Sequence, residues 1–249
     1  MYISSEQLKQ DLINVGVCAG DTLMVHASLR ALGPIDGRAE ALVRTVLSVL
    51  GNQGTLVAYV DFEPTPDIPY FDPQRSPASQ EFGVLVEVVR TWPGAVRSLN
   101  PGASMVAIGA QAEWLCHGHP LNYGYGPGSP LSKLVEIGGK ILLLGSDLNN
   151  VTILHYAEHC ARLPNKRVIQ RTDRMLVDET VVDVGIEEFD TSALVIDAMP
   201  TDYFAQITQE FVDARYAHTG RVGNAPSILL PAPEFVSFAI AKMEREFGG

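Results

Sequence analysis

Residues 155–159 read His-Tyr-Ala-Glu-His, and three of the five side chains can do chemistry. Taken literally, the run is H-x-x-E-H, in which two histidines one helical turn apart hold a zinc ion and a carboxylate activates its water. That chemistry also needs a third ligand, usually an acid well downstream on another helix, and the strand-loop-helix setting that begins at KILLLGSD is not where such a helix is expected. The pair His155 and Glu158 supports a second reading. Three residues apart on a helix they are neighbours, so the carboxylate can bond one imidazole nitrogen, fix the tautomer and leave the other nitrogen as a base. This is the orienting half of a catalytic triad without its nucleophile. On this reading His159 sits partly exposed on the solvent side of the helix. Cys18, Cys116 and Cys160 lack C-x-x-C spacing and an adjacent cluster of Lys or Arg, so they read as buried small hydrophobes.

Three further stretches carry polar groups where a ligand could lie. VHASLRALGP (25–34) leaves a strand through a polar, Gly-ended turn, whose N–H groups with Ser28 and Arg30 could hold a phosphate or pyrophosphate. DFEPTPDIPYFDPQRSP (61–77) packs five prolines and four acids into one loop, and HPLNYGYGPGSP (119–130) is rich in Gly and Tyr. Neither G-x-G-x-x-G nor G-x-x-x-x-G-K-[ST] occurs, which removes the usual support for a dinucleotide or P-loop nucleotide.

These residues need a scaffold, and hydrophobic periodicity outlines it. SSEQLKQDLINVG, GRAEALVRTVLSVLG and QEFGVLVEVVRTW (80–92) read as helices, as do shorter stretches around AEWLCHG and SPLSKLVEIGG. TLMVH (22–26), TLVAYV (55–60), ASMVAIG (103–109) and KILLLG (140–145) read as strands, the last apolar enough to lie at the centre of a doubly covered sheet. The alternation implies a layered α/β fold with a mainly parallel central sheet flanked by helices. From about residue 167 the pattern becomes RVIQRTDRMLV and ETVVDVGIEEF, expected as antiparallel strands, and then YFAQITQEFVDARY and APEFVSFAIAKMEREF, expected as helices. Without a linker or an internal repeat, residues 1–249 are expected to form a single domain with an α+β C-terminal extension. In such sheets ligands lie beyond the carboxyl ends of the strands, where the polar loops converge.

Composition narrows the partners. The formal charge is −11, from 29 acids against 18 bases, which disfavours nucleic acid and anionic lipid and favours cationic ligands. No apolar run reaches the ~18 residues of a membrane span, and the N-terminus lacks the character of a secretory signal. Three cysteines do not suggest a disulfide framework, so a cytoplasmic location is expected.

Several of these stretches, taken in order, resemble one known family. VHASLRALG, FDPQRSPASQEFG, RSLNPGASMVAIGAQAEWL, GYGPGSPLSKL, KILLLG, TILHYAEHCARLP and GRVGNAPSILLPAPEFVSFAIAKMEREFG are similar to the aminoglycoside 3-N-acetyltransferases, antibiotic N-acetyltransferases outside the GNAT fold. The resemblance runs nearly end to end. It implies that fold and transfer of acetyl from acetyl-CoA to an amine, with His155 as base and Glu158 orienting it. It places the CoA contacts on His26, Ser28, Leu29 and Arg30 and on Arg97, Asn100, Ser104 and Met105. Asp61, Glu63, Asp72 and Glu188 would face a polycationic aminosugar, with no metal and a homodimer as a possible assembly. Three departures stand out: Ala27 where a second serine is common, Asn100 where His is usual, and SDLNNVT before the catalytic helix. An amine attacks a thioester only as its neutral form, and acetyl-CoA is already activated. Direct transfer in a ternary complex, with donors near SLRALG or RSLNP polarising the thioester oxygen, is therefore expected. The alternatives left open are the same chemistry on another small amine and the H-x-x-E-H zinc hydrolase.

Overall fold

The computed structural model describes residues 2–190 and 194–248. Its centre is three parallel strands, β1 (Thr22–Ala27) between β2 (Thr55–Tyr59) and β5 (Lys140–Leu144). Beyond β2 lie β4 (Met105–Gly109) and the two-residue β3 (Val96–Arg97), and beyond β5 lie β9 (Ala225–Pro231) and β8 (His218–Val222), all paired antiparallel. The sheet therefore has a parallel core with antiparallel flanks.

Apolar runs on the central strands are buried on both faces, and their side chains divide with period two. Leu23, Val25, Leu56, Ala58, Leu142 and Leu144 pack with α1 (Ser5–Asn14), α3 (Arg38–Leu50) and α4 (Val84–Arg90) on one face. Met24, Val57, Tyr59, Ile141 and Leu143 face a second core on the other side. This core is formed with α5 (Ala112–Cys116), α6 (Pro130–Glu136), α7 (Ile153–Cys160), α8 (Tyr203–Asp213) and α9 (Ala232–Phe247). Local chemistry sets the helix ends: Ser4 accepts from the Gln7 N–H at 3.2 Å at the start of α1, and Ser129 with Pro130 opens α6.

Four expectations are corrected here. Residues 80–92 are a 3-10 turn, Gln80–Phe82, and then α4, because Gly83 at φ +79° breaks the run between them. The polar turn at 25–34 contains a short helix, α2 (Leu29–Leu32), with Ser28 as its cap. The C-terminal third is not only an extension, since β8 and β9 complete the central sheet. Only β6 (Val168–Val177) and β7 (Thr180–Phe189), the expected antiparallel pair, form a separate two-stranded sheet. The acidic loop is fastened to that hairpin: Phe62, Phe71 and Met175 form a small buried cluster, and Phe71 bridges to Met175. Lastly, Cys116 is buried but Cys18 and Cys160 are exposed, because they lie in the turn after α1 and at the last residue of α7. Among the described residues, no helix is long and apolar enough to cross a membrane.

Candidate active site

The carboxyl ends of β1, β2 and β5 open into one cleft of about 1460 Å³. Three loops leave those ends, carrying Ser28–Arg30, Asp61–Pro64 and Ser146–Thr152, and all three line it. The β6–β7 hairpin closes one side with Arg171, Asp173, Arg174 and Glu188.

His155 and Glu158, on the first turns of α7, both line the cleft. His155 Nδ1 is 2.8 Å from Glu158 Oε2, and the carboxylate side chain is only 6% exposed against 23% for the imidazole. A nearly buried carboxylate on Nδ1 holds the proton there and leaves Nε2 with its lone pair. The ring is held between two aromatic rings, Tyr125 and Phe204, each with its centroid 5.1 Å away. Tyr125 is fixed in turn by a 2.8 Å hydroxyl contact with Tyr59, at the end of β2. His159 faces elsewhere: its Nδ1 meets the Tyr123 hydroxyl, and its ring packs on Phe189 with centroids 5.6 Å apart. It is half-buried there rather than on a solvent face, and the two histidines serve different partners.

Asp61 and Glu63 line the cleft from the end of β2. Asp61 accepts from the Phe62 N–H at 2.8 Å, and burial pushes its carboxyl up to about 7, with the charge of Glu188 adding to the shift and Arg171 opposing it. Glu188 also lines the cleft, but it is 3% exposed and its Oε1 accepts from Arg171 Nη1 at 2.8 Å. Asp72 does not reach the cleft; its carboxylate accepts from the N–H groups of Gln74 and Arg75, at 2.9 and 3.1 Å, and so closes a turn.

The residues expected to contact CoA divide into two groups. His26, Ser28, Leu29 and Arg30 line the cleft. Ser28 Oγ caps α2 by accepting from the Ala31 N–H at 3.2 Å, and burial lowers His26 to about 4. His26 Nε2 and Ser146 Oγ are buried polar atoms without a hydrogen-bond partner among the described residues, and both belong to the cleft wall. Such atoms suit a ligand with amide and hydroxyl groups along its length, as a pantetheine arm has.

Arg97, Asn100, Ser104 and Met105 do not line the cleft, and their polar groups make internal contacts. Arg97 donates through Nη2 to the Val60 carbonyl at 2.6 Å and through Nη1 to the Ser76 carbonyl at 2.5 Å, with Nε 3.1 Å from Ser104 Oγ. Ser104 Oγ donates to the same Val60 carbonyl at 3.0 Å, so these groups fix the strand end that presents Asp61. Asn100 donates to the Pro120 carbonyl at 2.7 Å, and buried His119 bridges Ser98 Oγ and the Gly124 carbonyl. Together they anchor the loop that carries Tyr125. Met105 is fully buried core.

Tyr59, Tyr125, Ser146, Phe204, Arg171 and Asp173 also line the cleft, none of them singled out in the sequence. Sequence signals existed for Tyr125, through the Gly- and Tyr-rich loop that holds it, and for Ser146, through the SDLNNVT segment it opens.

Residues 24–244 match the family model described as aminoglycoside 3-N-acetyltransferase. Aminoglycoside N(3)-acetyltransferase III of Pseudomonas aeruginosa is 37% identical over 250 residues, spanning 94% of this chain and 91% of that one. Aminoglycoside N(3)-acetyltransferase VII of Streptomyces paromomycinus is 36% identical, spanning 99% and 93%. Among solved structures, AAC-IIIb in binary complex with CoASH superposes with a TM-score of 0.96 at 40% identity, covering 100% of this chain and 98% of that one. AAC-VIa bound to sisomicin gives 0.93 at 33% identity, covering 100% of both chains.

Proposed function

The chain belongs to the aminoglycoside 3-N-acetyltransferase family, and from that premise we propose that it transfers acetyl from acetyl-CoA to the 3-amino group of an aminoglycoside, with His155 as general base. The observation that carries the assignment of the base is the 2.8 Å contact between His155 Nδ1 and Glu158 Oε2 at the wall of a cleft that also presents acids. Both substrates occupy that cleft together. The pantetheine arm lies along Ser28–Arg30 and the 146–152 loop, where His26 Nε2 and Ser146 Oγ offer bonding groups. The cationic sugar lies toward Asp61, Glu63 and the hairpin acids.

The aminoglycoside amine arrives largely as an ammonium and is not nucleophilic in that form. His155 Nε2 takes a proton from it, and the positive charge on the ring is balanced by Glu158. The freed nitrogen lone pair attacks the thioester carbonyl carbon. As the tetrahedral intermediate collapses, the C–S bond breaks, the second proton of the attacking nitrogen passes to the leaving sulfur to give CoASH, and the imidazolium returns its proton to solvent. The Leu29 and Arg30 N–H groups at the start of α2, which the Ser28 cap does not use, line the cleft, and we assign them to the thioester oxygen as its charge develops. No acyl-enzyme is required, because the thioester is already activated and proximity converts the step to an effectively unimolecular one.

A free-thiol assay with acetyl-CoA and a panel of aminoglycosides, coupled to mass analysis of product and protein, tests this. The expected result is one N-acetyl group on the antibiotic for each CoASH released, with initial-velocity lines that intersect. Acetyl trapped on Cys160, or thiol release without an acetylated amine, would refute the direct route.

A further inference from the structure

Arg171 is a cation in the wall where a cationic substrate is to bind. It lies on β6 and lines the cleft beside Glu188 and Asp173. Its Nη1 donates to Glu188 Oε1 at 2.8 Å, and its Nε stands 3.1 Å from both oxygens of Asp173. The second oxygen of Glu188 accepts from the Gly124 N–H at 3.2 Å, so this 3%-exposed carboxylate is satisfied on both sides. Gly102 leaves room for the guanidinium, since a Cβ there would stand 2.0 Å from Nη2. The Arg171 side chain nevertheless remains 34% exposed to the cleft. Two of the acids that could meet an ammonium are thus already engaged by a guanidinium, whose planar fork suits carboxylates better than an ammonium does.

We infer that Arg171 is a specificity-determining residue: it serves as a built-in counter-cation to Glu188 and Asp173, and an acceptor reaches those carboxylates only by displacing it. The inference rests on the acetyltransferase reading and names what selects the acceptor at that site. A sparsely aminated acceptor binds through Asp61 and Glu63 and leaves Arg171 in place. A heavily aminated one has to move a fixed charge, and its affinity is held down accordingly. Discrimination of this kind comes from a repulsive element as much as from an attractive one.

The test uses sisomicin as the heavily aminated probe and its diamine ring, 2-deoxystreptamine, as the sparse one. Kd for each is measured by calorimetry at pH 8.5, beside KM in the thiol-release assay, for the wild-type protein, Arg171→Gln and Arg171→Lys. Removing the guanidinium is expected to lower the sisomicin Kd about tenfold and the 2-deoxystreptamine Kd by less than about twofold, as for one released charge-assisted contact. Arg171→Lys, which keeps the charge but loses the fork, should fall between. A higher sisomicin Kd in Arg171→Gln, or equal shifts for both probes, would overturn the inference in favour of a strut or a direct substrate contact. If Arg171→Gln does not fold, Arg171→Lys decides alone: a lower sisomicin Kd supports the inference, and an unchanged or higher one overturns it. A wild-type protein that binds sisomicin without acetylating it would instead defeat the proposed function.

Discussion

At the scale of single residues, chemistry was legible where two side chains lie within one helical turn. His155 and Glu158 could be paired from spacing alone, and they meet at 2.8 Å. Contacts between distant segments were not legible: an arginine that binds a ligand and one that ties two loops together look the same in a sequence, and nothing in it shows Arg97 bonding the Val60 and Ser76 carbonyls. Likewise Glu188 reads as a free acid until Arg171 is seen against it. Asp61 supports a prediction with a definite sign. Its carboxyl is raised to about 7 from an ordinary value of 3.8, so the folded protein binds a proton there that the unfolded chain has lost, and stability falls as pH rises between those values. Asp61→Asn should melt at the same temperature as the wild type near pH 4 and become the more stable form above pH 7. The gain should be about 2 kcal/mol, half of the full shift, because Asp61 is only half-buried and water screens it. Thermal melts at pH 4, 6 and 8.5 check this, and a difference that shrinks as pH rises would show the wrong sign. The same proton bears on binding. An ammonium beside Asp61 draws its carboxyl down, so aminoglycoside binding near pH 7 should release a proton, visible as a calorimetric heat that depends on the buffer's own ionisation enthalpy.

At the scale of elements, the buried central strands, the short helices α5 and α6 and the β6–β7 pair were read from the sequence, whereas β3, β8, β9 and α2 were not. β1, β2 and β5 are buried on both faces and announce themselves by composition. β8 is largely exposed and reads His-Thr-Gly-Arg-Val, with no apolar alternation, while β9 begins and ends beside prolines. β3 has two residues and α2 four, too few for any period to register. Where these elements meet, Gly145 follows β5 at φ +62°, and a Cβ there would stand 2.6 Å from the Ala31 Cβ and 2.9 Å from the Ala225 Cβ. It therefore lets α2, β9 and the 146–152 loop converge where β1 and β5 open into the cleft. Gly145→Ala is expected to cost about 1–3 kcal/mol of stability, from the left-handed backbone together with the contact, and to raise KM for acetyl-CoA more than KM for the aminoglycoside. Denaturant unfolding and two-substrate kinetics measure both, and unchanged stability would show that the junction is looser than described.

At the scale of the whole molecule, the formal charge of −11 acts on the two substrates in opposite senses. A polycationic aminoglycoside is drawn toward the protein at long range, and polyanionic acetyl-CoA is repelled. Adding salt from 0.01 to 0.1 M shortens the screening length from about 30 Å to about 10 Å. KM for the aminoglycoside should therefore rise while KM for acetyl-CoA falls or holds, and parallel changes would contradict this electrostatic division. The same cleft must hold both molecules at once, because the direct route requires the imidazole, the amine and the thioester to meet. Measuring acetyl transfer to sisomicin by His155→Ala, beside calorimetric CoA binding to the same protein, tests that account most directly. The account predicts turnover lowered by about 10² to 10⁴ with CoA affinity within about twofold of wild type. Turnover within tenfold of wild type, with CoA still bound, would contradict it.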